Sequence, residues 1–317
     1  MSRITTPGFY PHMSAGDYHA DPCPEPSLTQ SIAKLLLERS PLHAWHVHPR
    51  LNPAFAPEEP TRFDVAHVAH TLLLGRGKDV AVIDAADWRT KAAKEERDDA
   101  LARGRLPILA EQYERARLLV DRARDQLSAA GLGEAFSPDA GDGEMVIAWQ
   151  DGDGLWRRAM IDWLSHDRRL VLDYKTTLAS AAPHAIPTKM AADGWCIQAA
   201  QHEAGLDILD PETAGRRRHI FVCQEATEPY ALSIVEIPEA AMTIGRRQLA
   251  MARDIWSACS RAGIWPGYPR GVIRPAYPEW AESRWIDREI DEFADVVAPL
   301  RAPIARPAPM LTDLAGG

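Results

Sequence analysis

The chain has 317 residues, 46% of them hydrophobic and 26% charged, the balance of a soluble globular protein with one large domain or two modest ones. A formal net charge of −9 excludes a surface that binds polyanions all over, so a nucleic-acid partner would need a local basic track. Cys23, Cys196, Cys223 and Cys259 are scattered and form no CxxC pair; this excludes a zinc ribbon or clustered iron–sulfur signature and predicts free thiols. No secretory apolar segment opens the chain and no apolar run approaches the ~18 residues that cross a bilayer. A cytoplasmic protein with no membrane partner is the expectation.

Residues 1–26, rich in Pro, Gly and His, read as an extended arm. SLTQSIAKLLLERSP follows as a helix capped by Ser27 or Thr29 and stopped before Pro41. HVHPRLNPAFAPEEP is a proline-punctuated loop, and FDVAHVAHTLLLG, from Phe63 to Gly75, a short apolar helix. KAAKEERDDALARG and ILAEQYERARLLVDRARDQLSAAG predict two amphipathic, solvated helices between residues 88 and 131. EMVIAWQ, LWRRAMIDWL and RLVLDYKT then read as three strands joined by DGDG and SHDR. DGWCIQAAQHEAGL predicts a helix, RRHIFVCQE and YALSIVEI two more strands, and Pro238 opens a long helix. From Asp291 onward a disordered tail is expected. The order predicts a mixed α/β core with helical additions on both sides: an arm and helix over 1–61, a core over 62–265 with its helical insertion, and a C-terminal extension over 266–317.

The stretch MIDWLSHDRRLVLDYKTT carries Asp162, Asp173 and Lys175 on what reads as a hairpin. Alternation puts Asp173 and Lys175 on one face of their strand. A two- or four-residue loop sets Asp162 opposite Asp173; a three- or five-residue loop makes them diagonal neighbours. Two carboxylates that close need a shared proton or a cation, and hard oxygen donors select Mg²⁺, Mn²⁺ or Ca²⁺. Two aspartates, a metal and a lysine suit phosphodiester hydrolysis. An exposed Asp–Lys ion pair on a surface hairpin fits the same spacing. His70 on the preceding apolar helix, Gln198 on the helix after the lysine strand and Glu144 at the start of the first strand are further candidates for the site.

In these residues the sequence resembles the PD-(D/E)XK nuclease superfamily, specifically its exonuclease VIII-like branch. The pattern is a histidine on a leading helix, an Asp on one strand, (D/E)-x-K on the next and a Gln on the following helix. Here these are His70, Asp162, Asp173-Tyr174-Lys175 and Gln198. DYHADPCPEPSLTQSIAKLLLERSPLHAW and DWRTKAAKEERDDALARGRLPILAEQYERA are also similar to the branch, so the resemblance spans roughly residues 8 to 265. It implies a restriction-endonuclease-like core, a small mixed sheet flanked by helices. The implied activity is an ATP-independent, Mg²⁺-dependent exodeoxyribonuclease, with Mn²⁺ able to substitute, acting on duplex DNA ends in phage-type recombination. Asp162, Asp173, the Tyr174 carbonyl and His70 would serve the metal, and Lys175 the transition state. A single-strand annealing recombinase and further copies of the chain are the implied partners. An endonuclease or flap nuclease of the same superfamily, or a silent DNA-binding scaffold, shares the core motif. Two positions depart from the pattern: Ala66 replaces a glycine before the histidine, and His202 replaces a tyrosine four residues after the glutamine.

Candidate phosphate contacts are Arg157 and Arg158, Arg216, Arg217 and Arg218, and Arg246 and Arg247. Each cluster is equally an ordinary solubilising charge run. Trp45 and Trp265 are read as core rather than as base-stacking residues. His67, three residues before His70, lacks the further Cys or His that a zinc site needs.

Overall fold

The computed structural model describes residues 3–56 and 65–297, with side chains as far as residue 290. In chain order the elements are β1 (Gly8–Tyr10), α1 (Ala15–His19), α2 (Gln30–Glu38), α3 (Pro41–Val47), α4 (Val65–Leu74), β2 (Val80–Ile83), α5 (Lys91–Ala102), β3 (Leu106–Leu109) and α6 (Ala110–Ala129). They continue with β4 (Gly141–Gln150), β5 (Trp156–Ser165), β6 (Leu170–Thr177), α7 (Ile186–Asp193), α8 (Trp195–Leu209), β7 (Arg218–Glu225), β8 (Leu232–Glu236), α9 (Glu239–Ala262) and α10 (Glu279–Val297). The fold is mixed α/β. A six-stranded sheet has the order β1-β4-β5-β6-β7-β8, antiparallel throughout except for the parallel β6–β7 pair. That parallel pair requires a crossover, and α7 and α8 supply it.

Helices cover both faces of the sheet. Val68 and Leu73 of α4 and Leu119 and Leu127 of α6 pack with Leu172, Tyr174 and Val222 of the central strands. On the other face Leu206 of α8 meets Ile147, Trp149 and Ile161, and Trp195 of the same helix stacks flat on Phe221, ring centres 5.0 Å apart. Ile32 and Leu36 of α2 and Leu249 and Trp256 of α9 bury a second layer against α8 through Ile197 and Ala200. Thr29 caps α2, its side chain accepting from the Ile32 amide at 3.3 Å.

Several sequence-level expectations change. The N-terminal arm is not a separate piece: β1 pairs with β4, and Leu28 bridges Arg157 of β5. The described residues fall into two compact units divided between Gly267 and Tyr268. Helix α3 fills the stretch between the predicted helix and the loop predicted from His46, with Pro41 at its start where the missing N–H costs nothing. The helical insertion also carries a parallel β2–β3 pair, obscured in the sequence because each strand has four residues and Pro107 argues against a strand. Helix α10 takes in the first seven residues, 291–297, of the stretch where the sequence predicts disorder; residues 298–317, like Phe63 and Asp64 at the start of the predicted apolar helix, lie outside the described residues. Trp265 packs edge-on against the buried Trp256, and Trp45 is half-buried in α3.

Two predicted DNA contacts are interior residues. Arg158 is 3% exposed; it pairs with Asp21 at 2.8 Å and donates to the Tyr18 and Ser27 carbonyls at 3.2 and 3.1 Å. Arg157, 4% exposed, lies over the Trp149 ring and donates to Asp151 and Gln201. A guanidinium taken out of water needs a counter-charge and filled donors, and the arm provides both for Arg158. Asp21→Ala leaves that charge uncompensated. We expect it to lose about 3–5 kcal/mol of unfolding free energy in urea titration, whereas an unchanged midpoint would show that the arm is not fastened there.

Candidate active site

Strands β5 and β6 pair at Trp163↔Leu172 and Leu164↔Val171. This register sets Asp162 opposite Asp173, as a two- or four-residue loop requires, but the ladder stops before reaching them. Beyond Leu172 the strands part. The Tyr174 amide, which would otherwise bond the β5 backbone, donates instead to the Asp162 carboxylate at 2.8 Å. A side chain thus completes the backbone bonding at the place where the sheet opens.

Helices from the two faces converge on this gap. From α4, His70 Nε2 lies 3.3 Å from Asp162 Oδ2. From α8, the Gln198 amide donates to Asp173 Oδ2. Lys175, two residues along β6, places Nζ 2.5 Å from Asp173 Oδ1 as a charge-assisted pair. Tyr174 turns its ring the other way, and its hydroxyl donates to Gln224 at 2.6 Å. Glu144 occupies the left-handed region at φ 49°, between Gly143↔Trp163 and Met145↔Ile161 in the β4–β5 ladder. For a non-glycine residue that conformation costs about 1 kcal/mol or more, and such strain collects at functional sites.

The charges are interdependent. Asp173 is 2% exposed, and burial first, then the Asp162 charge, push its pKa up to about 6. Burial would raise Asp162 as well, but the His70 hydrogen bond and charge, with Lys175 and the Tyr174 amide, outweigh it and hold that carboxyl below its usual range. Burial also opposes charge on His70 and on Lys175; the aspartates outweigh it, and both pKa values lie above their ordinary ones. The Glu144 carboxyl is raised, first by burial and then by Asp162 against the lowering effect of His70.

Among the described residues no group of three or more His, Cys, Asp or Glu side chains could hold a metal ion by itself. That argues against a protein-only cage of the zinc type. Two neighbouring carboxylates are a donor set that Mg²⁺ commonly takes, water and substrate phosphate completing its shell. The burial of Asp173 and the mutual repulsion of the two aspartates are the features that fit a hard cation.

The structure brings His70, Asp162, Asp173, Lys175, Gln198 and Glu144 to one place. It does not bring the arginines there. Arg217, its side chain buried against Asp207 and Asp210, is with Arg157 and Arg158 an interior ion-paired residue rather than a phosphate contact; Arg246, on the surface, pairs with Glu203 and Glu239 at 2.7 and 2.5 Å. Arg218 is similarly engaged with Glu236, Arg216 bonds the Glu212 carbonyl, and Arg247 is exposed. His202 is 1% exposed, its pKa pushed down to about 3 chiefly by burial, so it is an interior residue rather than a DNA-side one. His67 is exposed on α4. One charged residue beside the site, Arg76, belongs to no basic run and carries no signal in the sequence.

Neither a protein-family model nor a curated protein matches the sequence. Among solved structures, the fold is similar to that of a "putative exonuclease" from Eubacterium rectale, with a TM-score of 0.52 and 10% identity over 84% of this chain and 96% of that one. The crystal structure of SSO0001 aligns over 65% of this chain and 87% of its own at 16% identity, with a TM-score of 0.25. The first likeness establishes a shared mixed α/β fold. No helix among the described residues is long and apolar enough to cross a membrane.

Protonated Asp173 competes with a cation, so ion binding should strengthen as pH rises through about 6. The melting temperature gained on adding Mg²⁺ is expected to be small at pH 5 and larger at pH 8, where a hundredfold excess over Kd supplies about 2.7 kcal/mol, and to vanish in Asp173→Asn. Equal gains at both pH values, or a gain retained in Asp173→Asn, would remove Asp173 from the ion site.

Proposed function

We propose that the protein is a Mg²⁺-dependent, ATP-independent deoxyribonuclease that hydrolyses phosphodiester bonds from the ends of duplex DNA. The observation that carries this reading is the meeting of His70, Asp162, Asp173, Lys175 and Gln198 at the opening between β5 and β6. These are the residues, in the order, on which the resemblance to the exonuclease VIII-like branch of the PD-(D/E)XK nucleases rests. The fold likeness to a protein named an exonuclease adds support.

Asp162, Asp173 and the Tyr174 carbonyl would hold Mg²⁺ or Mn²⁺, with His70 and Glu144 at the edge of the set. When bound, the ion supplies Lewis-acid polarisation of a phosphoryl oxygen and a more acidic water. The protein's own groups do the positioning. Lys175 keeps its ammonium charged beside Asp173 and meets negative charge growing on the phosphoryl oxygens. Its side chain is about one-third exposed, so it can reach a phosphate that Asp173 cannot touch unaided. Gln198 fixes the Asp173 carboxylate, and its amide orients either that group or an attacking water. His70 holds Asp162 in the rotamer that also takes the Tyr174 amide. Work beside a single-strand annealing recombinase in the cytoplasm, and assembly with further copies, belong to the same proposal.

Purified protein should degrade linear duplex DNA in Mg²⁺ without ATP and leave covalently closed circles intact. Asp173→Ala and Lys175→Ala should each lower the rate by at least about 100-fold, the scale of losing one transition-state stabiliser, with folding retained by circular dichroism. Cutting of closed circles would replace the end-dependent reading with an endonuclease. Linear duplexes left whole would overturn the nuclease reading itself.

A further inference from the structure

A guanidinium that the motif does not contain stands next to the candidate active site. Helix α4, which carries His70, ends at Leu74 and turns through Gly75-Arg76-Gly77 with φ of 63° and 108° at the two glycines. This turn lays Arg76 across β4 at Gly143. A Cβ on Gly143 would sit 2.7 Å from the Leu74 carbonyl oxygen and 3.0 Å from Arg76 Cγ, so only glycine lets the end of α4 and the arginine stem come this close. The next residue on β4 is Glu144, the left-handed residue of the site, and Arg76 is near enough to pull the Glu144 pKa down.

Arg76 is half-buried, yet among the described residues it makes no ion pair within 4 Å and no hydrogen bond. This sets it apart from Arg157, Arg158, Arg217 and Arg246, each of which is ion-paired with a carboxylate. Its stem packs on Gly143, and no group among the described residues takes up the five N–H donors that carry its charge. The negative end of α4 and Glu144 offset it from a distance and leave the donors open. Planar, bidentate recognition of a phosphate is what such a fork does best. We propose that Arg76 grips a DNA backbone phosphate flanking the one that meets Asp162 and Asp173, making the Gly75–Gly77 turn and Gly143 a built phosphate clamp on the α4 side of the site. This rests on the nuclease reading and adds a substrate-binding residue to it.

The test is duplex binding in Ca²⁺, measured by fluorescence anisotropy of a short blunt-ended duplex over a salt series, for wild type, Arg76→Gln and Arg76→Lys, with thermal melts as a control for folding. Arg76→Gln should bind about tenfold more weakly and show a salt slope shallower by about 0.9, the loss of one phosphate contact. Arg76→Lys should recover the slope and part of the affinity. If Arg76→Gln keeps the wild-type slope and affinity while wild type cleaves DNA, Arg76 is only a counter-charge to Glu144 and the clamp is overturned with the nuclease reading intact. If wild type neither binds nor cleaves the duplex, the nuclease reading falls and the clamp with it.

Discussion

Two carboxylates brought into one gap of a β-sheet repel each other, and the surroundings of Asp162 and Asp173 are arranged around that repulsion. Each has its own supporters: His70 and the Tyr174 amide hold Asp162, while Gln198 and Lys175 hold Asp173. The supporting helices come from opposite faces of the sheet, α4 with His70 and α8 with Gln198. The division leaves Asp162 ionised and Asp173 strained toward its proton. One acid at ease beside one under pressure is a place where added positive charge lowers the free energy.

The fold supplies that arrangement through a departure from regularity. Had β5 and β6 continued their ladder past Trp163 and Leu172, the Tyr174 amide would bond to backbone and Asp162 would have no fixed position. Beyond the opening β6 continues beside its parallel partner β7, and β5 beside β4. The second irregularity, Glu144 at positive φ, falls in β4 alongside the opening. Buried ion pairs secure the far end of β5: Arg157 with Asp151 and Arg158 with Asp21. These two arginines, read in the sequence as phosphate contacts, therefore serve the scaffold.

Much of the site is legible in the sequence because strand alternation and a tight hairpin leave few ways to arrange Asp162, Asp173 and Lys175. The register depends only on where the SHDR turn is centred, and the observed pairing gives the even-loop arrangement. The helices of His70 and Gln198 are equally legible from their apolar patterns. Surface and interior arginines, by contrast, look alike in a sequence. Arg158 is buried because of Asp21, far away in the chain and without a local pattern to announce it. Arg76 is silent for the opposite reason: a single arginine between two glycines forms no charge run, and its relation to Glu144 exists only once α4 and β4 are packed together. Strand β3 is hidden by Pro107, and β1 by its three-residue length.

The most direct test of the ion site is anomalous diffraction from crystals of the protein grown or soaked with Mn²⁺. The predicted result is a manganese peak between the Asp162 and Asp173 carboxylates, within about 2.0–2.3 Å of an oxygen from each. A manganese peak elsewhere with none in the β5–β6 opening, or one bound to only one of the two aspartates, would contradict it.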